Sequence, residues 1–113
     1  MLIRSQNKEV LTNLNALAGI EIAEGPVKTV ITSYITGCSY LLGEYSNKQK
    51  AVKVLDMLQK AYAEYEMLRD MSTGMGGIMV TYNTKMIVNE LEKEIQEKSI
   101  FQMPEDSEVE IND

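Results

Sequence analysis

Apolar and polar residues alternate through the first part of the chain, and a helical repeat takes over in the second. Leu2-Ile3-Arg4-Ser5-Gln6 alternates and predicts a strand. Asn7-Lys8 supplies a turn, and Val10-Leu11-Thr12-Asn13-Leu14 is the returning arm of a hairpin. Asn15 and Ala16 interrupt the run. Leu17 to Glu24 gives a third strand with Ile20 and Ile22 on one face, ended by Gly25-Pro26. Val27 to Thr36 is rich in β-branched residues and gives a fourth strand. Gly37-Cys38 turns it, and Ser39 to Tyr45 returns. These five strands predict one antiparallel meander.

Ser46 then reads as a helix N-cap, with Gln49 completing a capping box. Ala51, Val54, Leu55, Leu58, Ala61, Tyr62, Tyr65 and Leu68 keep helical spacing for five turns. Lys48, Lys50, Lys53, Asp56, Gln59, Lys60 and Glu64 fill the opposite face. The spacing predicts a helix over residues 47–70 that covers the apolar face of the sheet. Ser72-Thr73-Gly74-Met75-Gly76-Gly77 predicts a hinge, because three glycines in four residues disfavour a helix. Residues 78–82 are equally compatible with a short strand or an early helical turn. Thr84 to Lys98 predicts a second helix with Ile87, Val88, Leu91 and Ile95 on one face. Glu94 with Lys98 has the favourable i,i+4 order, which Glu90 with Glu94 opposes. Ile100 to Met103 predicts a short final strand, stopped by Pro104. The expected fold is α+β: a single domain over residues 1–103, then an acidic, disordered tail over 104–113.

Composition narrows the chemistry. The chain has 113 residues, one cysteine and no histidine. Ser–His and Cys–His nucleophile pairs are therefore excluded, along with the commonest zinc ligand. A lone Cys38 permits no intramolecular disulfide and fits a reducing compartment. No run of apolar residues is long enough to span a membrane, and Met1 to Gln6 has no apolar signal core. The expected location is the cytoplasm, that of a bacterial host if the chain is phage-encoded. Of the net charge of −6, residues 104–113 carry −5, leaving −1 for the rest. A nearly neutral body with two arginines is a poor partner for DNA or RNA.

Several residues are candidates for binding. Gly76 and Gly77 could wrap a phosphate with backbone N–H groups, although no Gly-Lys-Ser/Thr follows; the alternative is a linker. Tyr82, Asn83 and Lys85 combine an aromatic ring, an amide and a cation, as base and phosphate recognition require; the alternative is a helix start capped by Asn83 or Thr84. Arg4 and Arg69 are available for charge. Met67, Met71, Met75 and Met79 recur every four residues and suit either an oligomer contact or the core. The acidic end reads as a cation site or, more simply, a solubilising tail. No catalytic or metal residue is assigned, and no cofactor is expected.

IRSQNKEVLTNL, LLGEYSNKQKAVKVLDMLQKAYAEYE and FQMPEDSEV together resemble a family of small uncharacterised proteins of Firmicutes and their phages. That resemblance covers most of the chain outside residues 66–99 and implies no activity. The layout alone is similar to phage anti-defence sponge proteins, which hold cyclic nucleotide immune signals between subunits. This chain departs from them in having no arginine after Arg69. The expected function is non-enzymatic: a phage or mobile-element accessory protein, a homo-oligomer sequestering a nucleotide-like signal. The alternatives are an interaction module that blocks a host defence protein and a structural component of a phage or cell assembly.

Overall fold

The computed structural model describes residues 1–75 and 82–111. Five strands precede the long helix: β1 (Leu2–Arg4), β2 (Leu11–Asn13), β3 (Gly19–Glu24), β4 (Thr29–Ile35) and β5 (Cys38–Tyr45). Helix α1 (Lys48–Met75), helix α2 (Tyr82–Lys98) and strand β6 (Ile100–Gln102) follow. The α+β class and the order of elements match the sequence reading. Among the described residues, no helix is long and apolar enough to cross a membrane.

The five strands do not form one meander. β3, β4 and β5 make an antiparallel sheet, whereas β2, β1 and β6 make a second one in that order. β1 pairs antiparallel with β2 but parallel with β6, Arg4 opposite Gln102. Parallel pairing needs a long crossover, and the whole of β2 to α2 supplies it. Gln6 joins the sheets. Its backbone N–H donates to Leu42 O at 2.7 Å, and its side-chain amide meets both the N–H and the carbonyl of Glu44 at 2.9 and 3.0 Å.

The alternation in β4 places Thr29, Ile31 and Ser33 inward. Ile3, Ile31, Leu42, Tyr45, Ala51, Val54, Leu58 and Met103 are buried together between the two sheets and the first half of α1. The helical stripe forms as its spacing predicts, with Ala51, Val54, Leu58 and Leu68 buried and Leu55, Ala61, Tyr62 and Tyr65 half-buried. Farther along α1, Leu68 and Leu91 are buried, and Lys98 pairs with Glu64 at 3.9 Å and Glu94 at 3.3 Å. α2 therefore runs back antiparallel to α1.

Four boundaries differ from expectation. The helix cap is Asn47, not Ser46: Asn47 Oδ1 accepts from Lys50 N at 2.9 Å, while the Ser46 hydroxyl and N–H are both turned to Asp106. α1 continues through Gly74 to Met75, so the hinge expected from Ser72 does not begin there. One helical glycine costs only about 1 kcal/mol, too little to end a helix already 26 residues long. α2 is already helical at Tyr82, which puts Asn83 inside the first turn rather than at its cap. β4 starts at Thr29, leaving Val27 in the turn before it.

The acidic end is not a disordered tail through residue 111. Val109 is buried in the core at 4% exposure. Asp106–Glu108 form a 3-10 turn closed by a capping box between Glu105 and Glu108. This strap crosses the start of α1. Tyr45 Oη donates to Pro104 O at 2.9 Å, Ser46 N–H donates to Asp106 Oδ1 at 2.8 Å, and Lys50 Nζ donates to Asp106 O at 2.9 Å. Lys53 Nζ also donates to Glu110 O.

Candidate binding surfaces

Chain topology sorts the residues expected to bind. Arg4 lies on β1, its Nε donating to Lys8 O at 3.2 Å. Arg69 lies in the distal half of α1, paired with Glu66 at 3.5 Å and set 5.8 Å from the centre of the Tyr65 ring. Tyr82, Asn83 and Lys85 occupy the first turn of α2; with Lys98 level with Glu64, Arg69 lies alongside the middle of α2, about 15 Å along the axis from that turn. The side chains of Tyr82, Asn83 and Lys85, like the whole of Gly76, Gly77 and Met79, lie outside the described residues. β1 pairs with the strand that follows α2, so Arg4 sits at the opposite end of that helix. With a rise of 1.5 Å per residue over 17 residues, the separation is about 25 Å. The fold thus leaves Arg69 closer than Arg4 to the start of α2 and brings neither into its first turn.

A cleft of about 400 Å³ opens beside the strap, bordered by Lys28, Glu44, Glu105 and Asp106. Lys28 is already paired with Glu44 at 3.0 Å. The remaining carboxylates make the cleft a poor host for phosphate. Asp106 is held below the usual carboxylate range, first by the Ser46 backbone N–H, then by the Ser46 hydroxyl and the Lys50 ammonium. Tyr45 is pushed well above the usual phenol range, first by burial and then by Glu105, Asp106 and Glu108. The acidic residues therefore serve an internal clasp. Among the described residues, no group of three or more His, Cys, Asp or Glu side chains could hold a metal ion.

The other prominent surface is apolar. At the β4–β5 end of the larger sheet, a groove of about 420 Å³ lies between Val10, Leu11, Leu17, Ile35 and Tyr40, with Glu9 at its edge. Leu11 is 57% exposed, Ile35 40%, Tyr40 43% and the neighbouring Leu41 43%. Two sequence pairs carried the signal for this patch: Tyr34-Ile35 and Tyr40-Leu41 make both faces of the hairpin end apolar, where strict alternation would make one. On α1, Met67 and Met71 are also exposed, so the core-filling reading of that stripe does not hold for them. Cys38 is exposed at the start of β5.

Comparison with family models, curated proteins and solved structures finds no match to this chain.

Proposed function

We propose that this chain is a non-catalytic binding protein that works as a homo-oligomer. The observation that carries the reading is the apolar surface left uncovered at one end of the larger sheet, around Leu11, Ile35, Tyr40 and Leu41. Contiguous apolar patches of this kind mark association surfaces. The molecule is also extended. Its radius of gyration is 17.1 Å, against about 13 Å for a compact chain of this length.

The ligand class we assign is a nucleotide-like signal, held along the distal half of α1 and α2. Arg69 over Tyr65 supplies a cation and a ring there, and the first turn of α2 adds Tyr82, Asn83 and Lys85. The likeness of this chain's layout to phage anti-defence sponge proteins is what favours a counter-defence role. The rival, a module that blocks a host protein, draws on the same apolar patch.

Light scattering coupled to gel filtration tests the oligomer; a strict monomer of 12.7 kDa refutes it. Thermal shift against cyclic and linear nucleotides tests capture, because a ligand that binds only the folded state raises the Tm by mass action. Arg69→Ala combined with Lys85→Ala should abolish any such shift, and an unchanged shift removes both from the site.

A further inference from the structure

The apolar groove has a counterpart elsewhere in the same chain. Val27 is 82% exposed, the most exposed of the large apolar residues described. It stands at the tip of the β3–β4 turn, which the Gly25 N–H closes by donating to Lys28 O at 2.8 Å. Pro26 precedes it and fixes the local backbone, so little freedom remains to be lost on docking. A rigid apolar knob is thus held out in solvent.

Knob and groove lie at opposite ends of β4. Val27 precedes its first residue, Thr29, while Ile35, its last, lines the groove. Seven extended residues separate the two by about 23 Å. A chain cannot fill its own groove across that span, but a second copy can. The flanking charges match: Lys28 adjoins the knob and Glu9 edges the groove. Lys28 is 60% exposed even while paired with Glu44, so its ammonium can also face a neighbouring carboxylate.

We infer that copies of this chain assemble head to tail, with the Pro26-Val27-Lys28 turn of one seated in the Leu11–Ile35–Tyr40 groove of the next. This rests on the self-association proposed above and specifies its surfaces. Because the two patches differ, the contact is heterologous and closes into a ring or runs on as a filament.

The test uses the full chain and two surface variants, Val27→Asp and Leu11→Asp, each checked for a native circular dichroism spectrum. Light scattering should find wild type above 12.7 kDa and each variant at the monomer mass. Mixed one to one, the variants should form a dimer and stop there, since only one intact knob and one intact groove remain to meet. A charge pair gives a second measurement: Lys28→Glu and Glu9→Lys should each weaken assembly and together restore it. Variants that keep the wild-type mass, or a mixture that stays monomeric, overturn the head-to-tail contact while leaving self-association standing. A monomeric wild type overturns both.

Discussion

Replacing Val109 with Ala tests whether the acidic C-terminal segment belongs to the folded core. Val109 is 4% exposed and lies with Met1, Ile3 and Met103 in the buried cluster. The change removes two methyl-sized groups, worth about 1.6 kcal/mol at ~0.8 kcal/mol per buried carbon. The cavity left behind raises the loss to about 2–3 kcal/mol. Unfolding entropy of about 2.1 cal/mol/K per residue gives this 113-residue chain roughly 4 °C of Tm per kcal/mol. The expected drop is therefore about 8–12 °C, read by circular dichroism at fixed protein concentration. Val52→Ala is the control: Val52 sits on α1 at 41% exposure and its replacement should move the Tm by no more than ~2 °C. A Val109 variant that melts with the control would show that residues 104–111 do not contribute to the core.

Other outcomes follow from the same geometry. Tyr45→Phe deletes the hydrogen bond to Pro104 O, which Gln6 Nε2 still satisfies at 3.1 Å, so denaturant unfolding should show a loss of about 1 kcal/mol. The folded phenol titrates above its ordinary value of 10.0, so its contribution is intact below that pH and lost as pH rises beyond it; the Phe variant should lack this alkaline component. Asp106 titrates below its ordinary 3.8 when folded, so it stabilises above that pH and ceases to as pH falls through the depressed value. Asp106→Asn should flatten this acid limb in urea titrations between pH 2 and 5, as a rough working range. Gly43→Ala would set a Cβ 2.9 Å from the Tyr45 ring and should cost about 1–3 kcal/mol by calorimetry. Lys8 adopts a φ of +68°, so Lys8→Gly should raise stability by about 1 kcal/mol in the same experiment.

The local periodicities of this chain were legible, and its distant pairings were not. The stripe from Ala51 to Leu68 predicts α1 because each residue reports its own helical face. Nothing in Leu2-Ile3-Arg4 says that its partner is Ile100-Phe101-Gln102, since alternation marks a strand without naming its neighbour. Hence one expected meander became two sheets. The strap was missed for a related reason. Glu105 to Glu110 has the composition of a disordered tail, yet two scattered apolar residues, Met103 and Val109, suffice to anchor it. A signal was present in Lys50 and Lys53, spaced along the polar face of α1 where the acidic segment lies. The cap moved from Ser46 to Asn47 because the strap's Asp106 engages the Ser46 hydroxyl, a tertiary effect that no local rule contains. At the binding surfaces, spacing could not reveal that β1 carries Arg4 to the end of α2 opposite Tyr82.

These pairings also determine how stability is distributed, and so where binding can act. The strap and β6 close the core from the end of the chain: Met103 and Val109 are buried in it, and Pro104 supplies the acceptor for Tyr45. The two sheets therefore depend on residues that arrive only after α2, and they fold as one cooperative unit with the first half of α1. Among the described residues, the distal half of the helix pair is held by buried Leu68 and Leu91 and by exposed ion pairs worth well under 1 kcal/mol each. Amide exchange should accordingly be slowest around Ile31, Leu42 and Val54 and faster beyond Tyr65. The head-to-tail contact uses the sheets, whereas the proposed ligand residues lie on the distal half of the helix pair. Stabilisation by a ligand bound there should appear first as slowed exchange near Arg69, before any change around the groove.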